Sequence, residues 1–272
     1  MGPVSPARRT ALALVLLACA AAAGCGLAAG AGSGGPAATS TAESNPATGP
    51  GGTVQDDRRI ILLDPGHNGG NAAAPAQANK KVPDGRGGTK PCNTTGTASA
   101  RGYPEHRFAW IVSQRVKATL EANGVTVLLT RDNDTGVGPC VDVRGAMAER
   151  VGADAMVSIH ADGGPPSGHG FHVAYSSPAL SQSQGEPSVS LATALRDGMR
   201  GAGLSTSTYI GKNGLSPRSD LAGLNLARRP AVLVECENMR NLDESVILTS
   251  EVGQARIANA IAAGILSWLK TH

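Results

Sequence analysis

Two histidines carry the chemistry that this chain presents first. His67 closes an apolar run in RRIILLDPGHNGG, and His160 closes another in AMVSIHADGG. Neutral imidazole is the commonest protein ligand for zinc, and side chains at the ends of buried strands hold a fixed geometry. A single strand-end histidine is an ordinary cap, whereas two in matching positions can converge on one ion. A third apolar run, AVLV, ends in Glu235, and Glu105 stands at the start of an amphipathic stretch. Two histidines and one carboxylate, with an open position for water, form a recurrent hydrolytic zinc set. The remaining carboxylate is then free to act as a base.

These residues need a rigid frame. Residues 59–63, 125–130, 155–159, 170–175 and 231–235 read as strands. Residues 104–123, 143–151, 189–202 and 250–269 read as helices, from apolar spacing and from stop signals such as Asn123-Gly124. The alternation predicts a single α/β domain, a largely parallel (mixed) central sheet with helices on both faces. Ligands of such sheets bind at the carboxyl ends of strands, which is where His67, His160 and Glu235 fall. Between them the glycine-rich stretch 66–102 reads as one long loop, a lid or a cleft wall.

The first 25 residues read as a signal peptide: Arg8-Arg9, the apolar run ALALVLLACAAAA, then Gly24-Cys25. Ala22-Ala23-Gly24-Cys25 resembles a lipobox, which would anchor the chain to a membrane through lipid on Cys25; Leu16-Leu17-Ala18-Cys19 competes with it. Residues 26–56 are mostly Ala, Gly, Ser, Thr and Pro and read as a flexible tether, leaving 57–272 as the catalytic domain. The expected location is the cell envelope, as an anchored lipoprotein or a secreted monomer. With a formal net charge of +3 and no basic block, the chain has no nucleic-acid footprint. Cys92 and Cys140 lie in loop-like surroundings and are expected to pair after export, with Cys236 a buried thiol.

In order along the chain, LLDPGHNGG, TLEANGVTVLLTRDND, RGAMAERVGADAMVSIHAD and RRPAVLVECENMRN resemble the zinc-dependent N-acetylmuramoyl-L-alanine amidases of the amidase-3 type, in particular actinobacterial members. The resemblance implies Zn2+ held by His67, Glu105 and His160, with Glu235 as the catalytic carboxylate. The implied reaction cleaves the amide between N-acetylmuramic acid and L-alanine of the peptidoglycan stem peptide. A zinc endopeptidase or carboxypeptidase of peptidoglycan, and an envelope-binding protein without turnover, are the rival readings.

The chain departs from the family after Glu235, where Cys236-Glu237-Asn238-Met239 replaces the common Gly-Phe-small sequence. Strand alternation would return Glu237 to the face of Glu235, making it a second candidate for the base. Glu121 and Glu149 read as solvated helix charges, and His106 should point away from Glu105. His169 and His172 read as substrate-facing or exposed, and Arg131 and Arg144 as structural or peptide-facing. DPGHNGG lacks the spacing and lysine of a phosphate loop.

Overall fold

The structure is a computed structural model that describes residues 58–272. The signal peptide, the lipobox at Cys25 and the whole tether lie outside the described residues. The strands are β1 (Ile60–Pro65), β2 (Lys81–Pro83), β3 (Thr89–Pro91), β4 (Thr126–Leu129), β5 (Ala155–Asp162), β6 (His172–Ser176), β7 (Leu215–Arg218) and β8 (Ala231–Asn238). The helices are α1 (Pro75–Ala78), α2 (Glu105–Glu121), α3 (Val141–Arg150), α4 (Glu186–Gly201), α5 (Ala222–Asn225), α6 (Leu242–Thr249) and α7 (Glu251–Leu269).

Six strands form one sheet in the order β4-β1-β5-β8-β6-β7. Every neighbouring pair is parallel except β8 and β6. Successive side chains alternate between the faces. Leu63, Val157, Val173 and Val234 pack with α2, α4 and α7, whereas Leu62, Met156, Ala174 and Leu233 pack with residues of α3 and α5. Both faces are therefore covered, as near-continuous apolar strands require. The expected α/β sandwich is what the chain forms.

α2 forms because Phe108, Val112, Val116 and Leu120 recur every four residues and are all fully buried. Truncating one such large residue costs about 2–5 kcal/mol. The helix starts immediately after Pro104, which is extended, and so delivers Glu105 in its first turn. β7, α5 and α6 fall where the sequence reads as loop. Four-residue elements are too short to display a period, and α6 is set by an Asn241 cap that accepts from the amides of Asp243 and Glu244.

The long stretch after β1 is not uniform loop. It contains α1 and the antiparallel β2–β3 hairpin, and it is tied down along its length. The expected disulfide joins Cys92 to Cys140, and Cys236 is a buried free thiol. The Asn93 amide donates to the carbonyls of Val137 and Pro139, both at 3.2 Å. Arg86 donates to Ser176 Oγ at 3.1 Å and Asn225 Oδ1 at 3.2 Å. The stretch forms a wall along the sheet, and its Lys90, Pro91, Asn93 and Thr94 line the cleft beside His160. Among the described residues no helix is long and apolar enough to cross a membrane.

Candidate active site

Three of the four residues singled out from the sequence converge on a single oxygen. His67 Nε2 lies 3.0 Å and His160 Nδ1 2.9 Å from Glu105 Oε1. Their ligand-type atoms all fall within 4.8 Å of one another, and the two rings meet edge to face with centroids 4.8 Å apart. Glu105 is only 5% exposed and is aimed by two backbone amides: Thr97 N donates to Oε2 at 2.9 Å and Ala161 N to Oε1 at 3.3 Å.

The donor set fits a zinc ion by three observations. His67 Nδ1 is taken up by the Thr94 carbonyl and hydroxyl, both at 3.0 Å, which leaves Nε2 to face the centre, the usual support for a ligating imidazole. Space is kept by glycines. A Cβ at Gly66 would lie 2.4 Å from the His160 ring, and one at Gly96, where φ is +76°, would lie 2.7 Å from Glu105 Oε2. Electrostatics also favour a cation there. Burial alone would raise the Glu105 pKa, but the His67 and His160 imidazoles more than offset it and hold the carboxyl well below the usual range. Burial alone would lower His67, yet the Glu105 carboxylate shifts it upward overall.

The turn carrying His67 is held from beneath. His67 itself has φ +57°, an uncommon conformation for a residue with a side chain. Arg144 of α3 donates to Asp64 Oδ1 at 2.9 Å, to the Pro65 carbonyl at 2.8 Å and to the His67 carbonyl at 2.9 Å. Arg131 donates to the carbonyls of Pro65 and Gly66 at 3.0 and 3.3 Å. Both arginines are buried and structural, so the peptide-facing alternative is set aside. Asp64 also accepts from Thr130 Oγ1 at 2.6 Å and Ser158 Oγ at 2.7 Å. Sequence reasoning missed this network; the buried hydroxyls on β5 and beside β4 were its only signal.

Glu235 sits on β8 in register with His160 on β5. Both side chains share the sheet face of Met156 and Leu233. Glu235 Oε2 is buried without a partner among the described residues. Burial, then the charges of Glu105 and Asp162, push its pKa well above the usual carboxylate range, with Arg218 opposing. Beside His160 opens a cleft of about 170 Å³ lined by Asp64, Thr94, Arg144, Ser158 and Leu233 among others.

The remaining candidates are placed elsewhere. Glu237 does not return to the face of Glu235 by simple alternation: the ladder shifts register between His160 and Asp162, and Glu237 has φ +71°. Its carboxyl is hydrogen-bonded to Glu244. His106 pairs with Asp134 at 2.8 Å, Glu149 with Arg229 at 2.7 Å, and Glu121 with Lys117. His172 is neither exposed nor on the surface; it is 1% exposed and directly opposite Glu235 on β6.

Comparison with known proteins agrees with this geometry. Residues 61–267 match the Amidase_3 family model, described as N-acetylmuramoyl-L-alanine amidase. The chain is 48% identical over 213 residues to an N-acetylmuramoyl-L-alanine amidase of Mycobacterium tuberculosis, covering 78% of this chain and 87% of that protein. It resembles the crystal structure of the amidase Ami1 from Mycobacterium smegmatis at 52% identity and a TM-score of 0.77, covering 79% of this chain and 98% of that one. Apo Ami1 from Mycobacterium abscessus is similar at 50% identity and a TM-score of 0.75, covering 78% and 98%.

Proposed function

Because the chain belongs to the amidase-3 family of N-acetylmuramoyl-L-alanine amidases, we propose that it cleaves the amide joining N-acetylmuramic acid to L-alanine of the peptidoglycan stem peptide, as a zinc enzyme with Glu235 as base. The observation that carries this reading is the convergence of His67 Nε2 and His160 Nδ1 on Glu105 Oε1, with Glu235 beside His160 in the ladder.

His67, Glu105 and His160 would hold the ion, with the Thr94 carbonyl fixing the His67 ring and the Thr97 amide fixing Glu105. When bound, zinc supplies Lewis acidity, acidifying a water and polarising the scissile carbonyl. Glu235 accepts a proton from the attacking water at its carboxylate. Its raised pKa makes it a stronger base than an ordinary carboxylate. The same oxygen then returns the proton to the departing amine of L-alanine. The wall between β1 and α2, pinned by the Cys92–Cys140 disulfide, would give the stem peptide a fixed surface.

The deciding experiment is mass spectrometry of digested muropeptides. The expected products are intact stem peptides with a free L-alanine amine and peptide-free glycan. Cleavage within the peptide would assign an endopeptidase or carboxypeptidase instead, and no products from zinc-loaded protein would leave an envelope-binding role. Glu235→Ala should lose turnover by about 100-fold or more while keeping its zinc. The envelope is where the substrate lies, and the N-terminal sequence supports export, with lipid on Cys25 and residues 26–56 as the tether. Loss of membrane fractionation in Cys25→Ala checks the anchor.

A further inference from the structure

Three positions on three neighbouring strands align across the rim of the sheet. β5 and β8 are in register at His160 and Glu235, and β8 and β6 at Glu235 and His172. All three side chains share the face of Met156, Leu233 and Ala174. Glu235 therefore stands between two histidines. One belongs to the metal set, and the other has no part in the mechanism above.

Two buried polar atoms in this row lack a partner among the described residues: Glu235 Oε2 and His172 Nδ1. Directly opposed residues on antiparallel strands keep their Cβ atoms about 4.5–5.5 Å apart, within reach of an imidazole and a carboxylate. An unpaired buried donor or acceptor is costly, and native proteins keep few of them. The two atoms are chemically complementary, since a carboxylate only accepts and a neutral imidazole donates from one nitrogen. Burial keeps His172 neutral, lowering its pKa to about 4; Asp162 opposes this and Arg218 adds to it.

The ring is braced on its other side. Tyr209 meets it edge-on, with centroids 6.5 Å apart and planes at 88°. Tyr209 in turn donates its hydroxyl to Asp162 Oδ2 at 3.0 Å. Gly164 leaves room for this phenol, because a Cβ there would lie 2.6 Å from its ring. Asp162 follows His160 on β5, so the brace returns to the strand that carries the metal set.

We propose that His172 is a positioning residue for the reaction: its Nδ1–H and Glu235 Oε2, unpaired among the described residues, pair when substrate binds, so that Oε1 is the oxygen that exchanges the proton. In the first step a water O–H bond breaks and the Glu235 Oε1–H bond forms. In the second that proton passes to the amine nitrogen of L-alanine as the C–N bond breaks, and Oε2 stays bound to His172 throughout. This rests on the assignment of Glu235 as the base.

The test compares zinc-loaded wild type with His172→Phe, His172→Asn, His172→Gln and Glu235→Ala on muropeptide substrate. His172→Phe is expected to lower kcat about 100-fold, the scale of a misplaced catalytic group, with KM and zinc content unchanged. Its Tm should hold or rise, because an unpaired donor has been removed. His172→Asn, whose amide lies near the Nδ1 position, should recover most of kcat, whereas His172→Gln should not. In a Glu235→Ala background His172→Phe should cost nothing further. Retained kcat in His172→Phe, a loss that tracks Tm or zinc, or failure of His172→Asn to rescue would overturn the proposal. Should His172→Phe not fold, His172→Leu replaces it and the contrast between Asn and Gln carries the test. Full turnover by Glu235→Ala would instead remove the base assignment itself, a separate and distinguishable failure.

Discussion

Arg144 Nη1 lies 2.9 Å from Asp64 Oδ1, and both side chains are shut off from solvent. This pair joins the end of β1 to α3 directly beneath the turn that presents His67. Burial raises the Asp64 pKa, but Arg144, Thr130 and Ser158 outweigh it and bring it down from 3.8 to about 2. A depressed carboxyl contributes stability that is fully present above its unfolded pKa and is lost as pH falls through the folded value. Asp64 should therefore supply about 2 kcal/mol near neutral pH that disappears between about pH 4 and pH 2. Arg144→Met should lower Tm strongly, by the equivalent of about 3–5 kcal/mol, because it strands a buried charge. Thermal melts across pH read both effects; an unchanged acid limb in Arg144→Met would contradict this account.

Glu105 acts on the histidines through charge as well as position. In metal-free protein its carboxylate raises the His67 pKa, so Glu105→Gln should lower it, as followed by the imidazole NMR signals. The same variant should lose zinc affinity by about 100-fold or more, measured by competition with a chelator. An unaltered His67 titration would mean that Glu105 does not face it in solution.

Glu237 and Glu244 form a buried carboxyl pair, and Glu237 is raised from 4.5 to about 9 by burial and by Glu244. A raised carboxyl works in the opposite sense to Asp64: the folded state holds a proton that the unfolded chain releases, so stability falls as pH climbs from about 4.5 to about 9. Glu237→Gln imitates the protonated form. It should match wild type near pH 4.5 and exceed it increasingly as pH climbs to 9, since the amide stays neutral without taking up a proton. Urea titrations at the two pH values provide the comparison, and a constant difference would sink the idea.

The Cys92–Cys140 disulfide closes a sequence separation of 48 residues. In the chain-entropy model such a bridge contributes about 4 kcal/mol, and replacing both cysteines by alanine should lower Tm accordingly, with native-state strain reducing the effect. The wall should also loosen, so amide exchange in residues 79–94 should rise more than in β5 or β8. Uniform protection across the double variant would show that the bridge does not hold the wall.

His67, His160 and Glu235 were legible because each ends an apolar run, a pattern that a buried strand cannot hide. The disulfide was legible from the glycine, proline and threonine around Cys92 and Cys140. Glu105 was weaker: its place at the start of the helix after the long loop made it a candidate, and the resemblance marked it over Glu121 and Glu149. The three-residue strands of the hairpin wall were invisible because they are too short to show alternation. Glu237 was misread because a left-handed residue and a register shift interrupt the period of two on which the reading relied. His172 was read as substrate-facing or exposed, and what the reading missed was its burial beside Glu235. The direction of a strand is not written in its own residues, and only the reversal of β6 against β8 sets that ring opposite Glu235.

That reversal has a bearing on how the chain tolerates change. Parallel strands offer a rim only their last residues, but an opposed strand offers its first. The segment leaving β5 after His160 and entering β6 at His172 consequently begins and ends at the same rim, and Asn238 clamps it by donating to the carbonyls of Pro165 and Gly168 at 2.8 and 2.9 Å. It measures a distance as well as spanning one. An added or deleted residue there should displace both imidazoles at once.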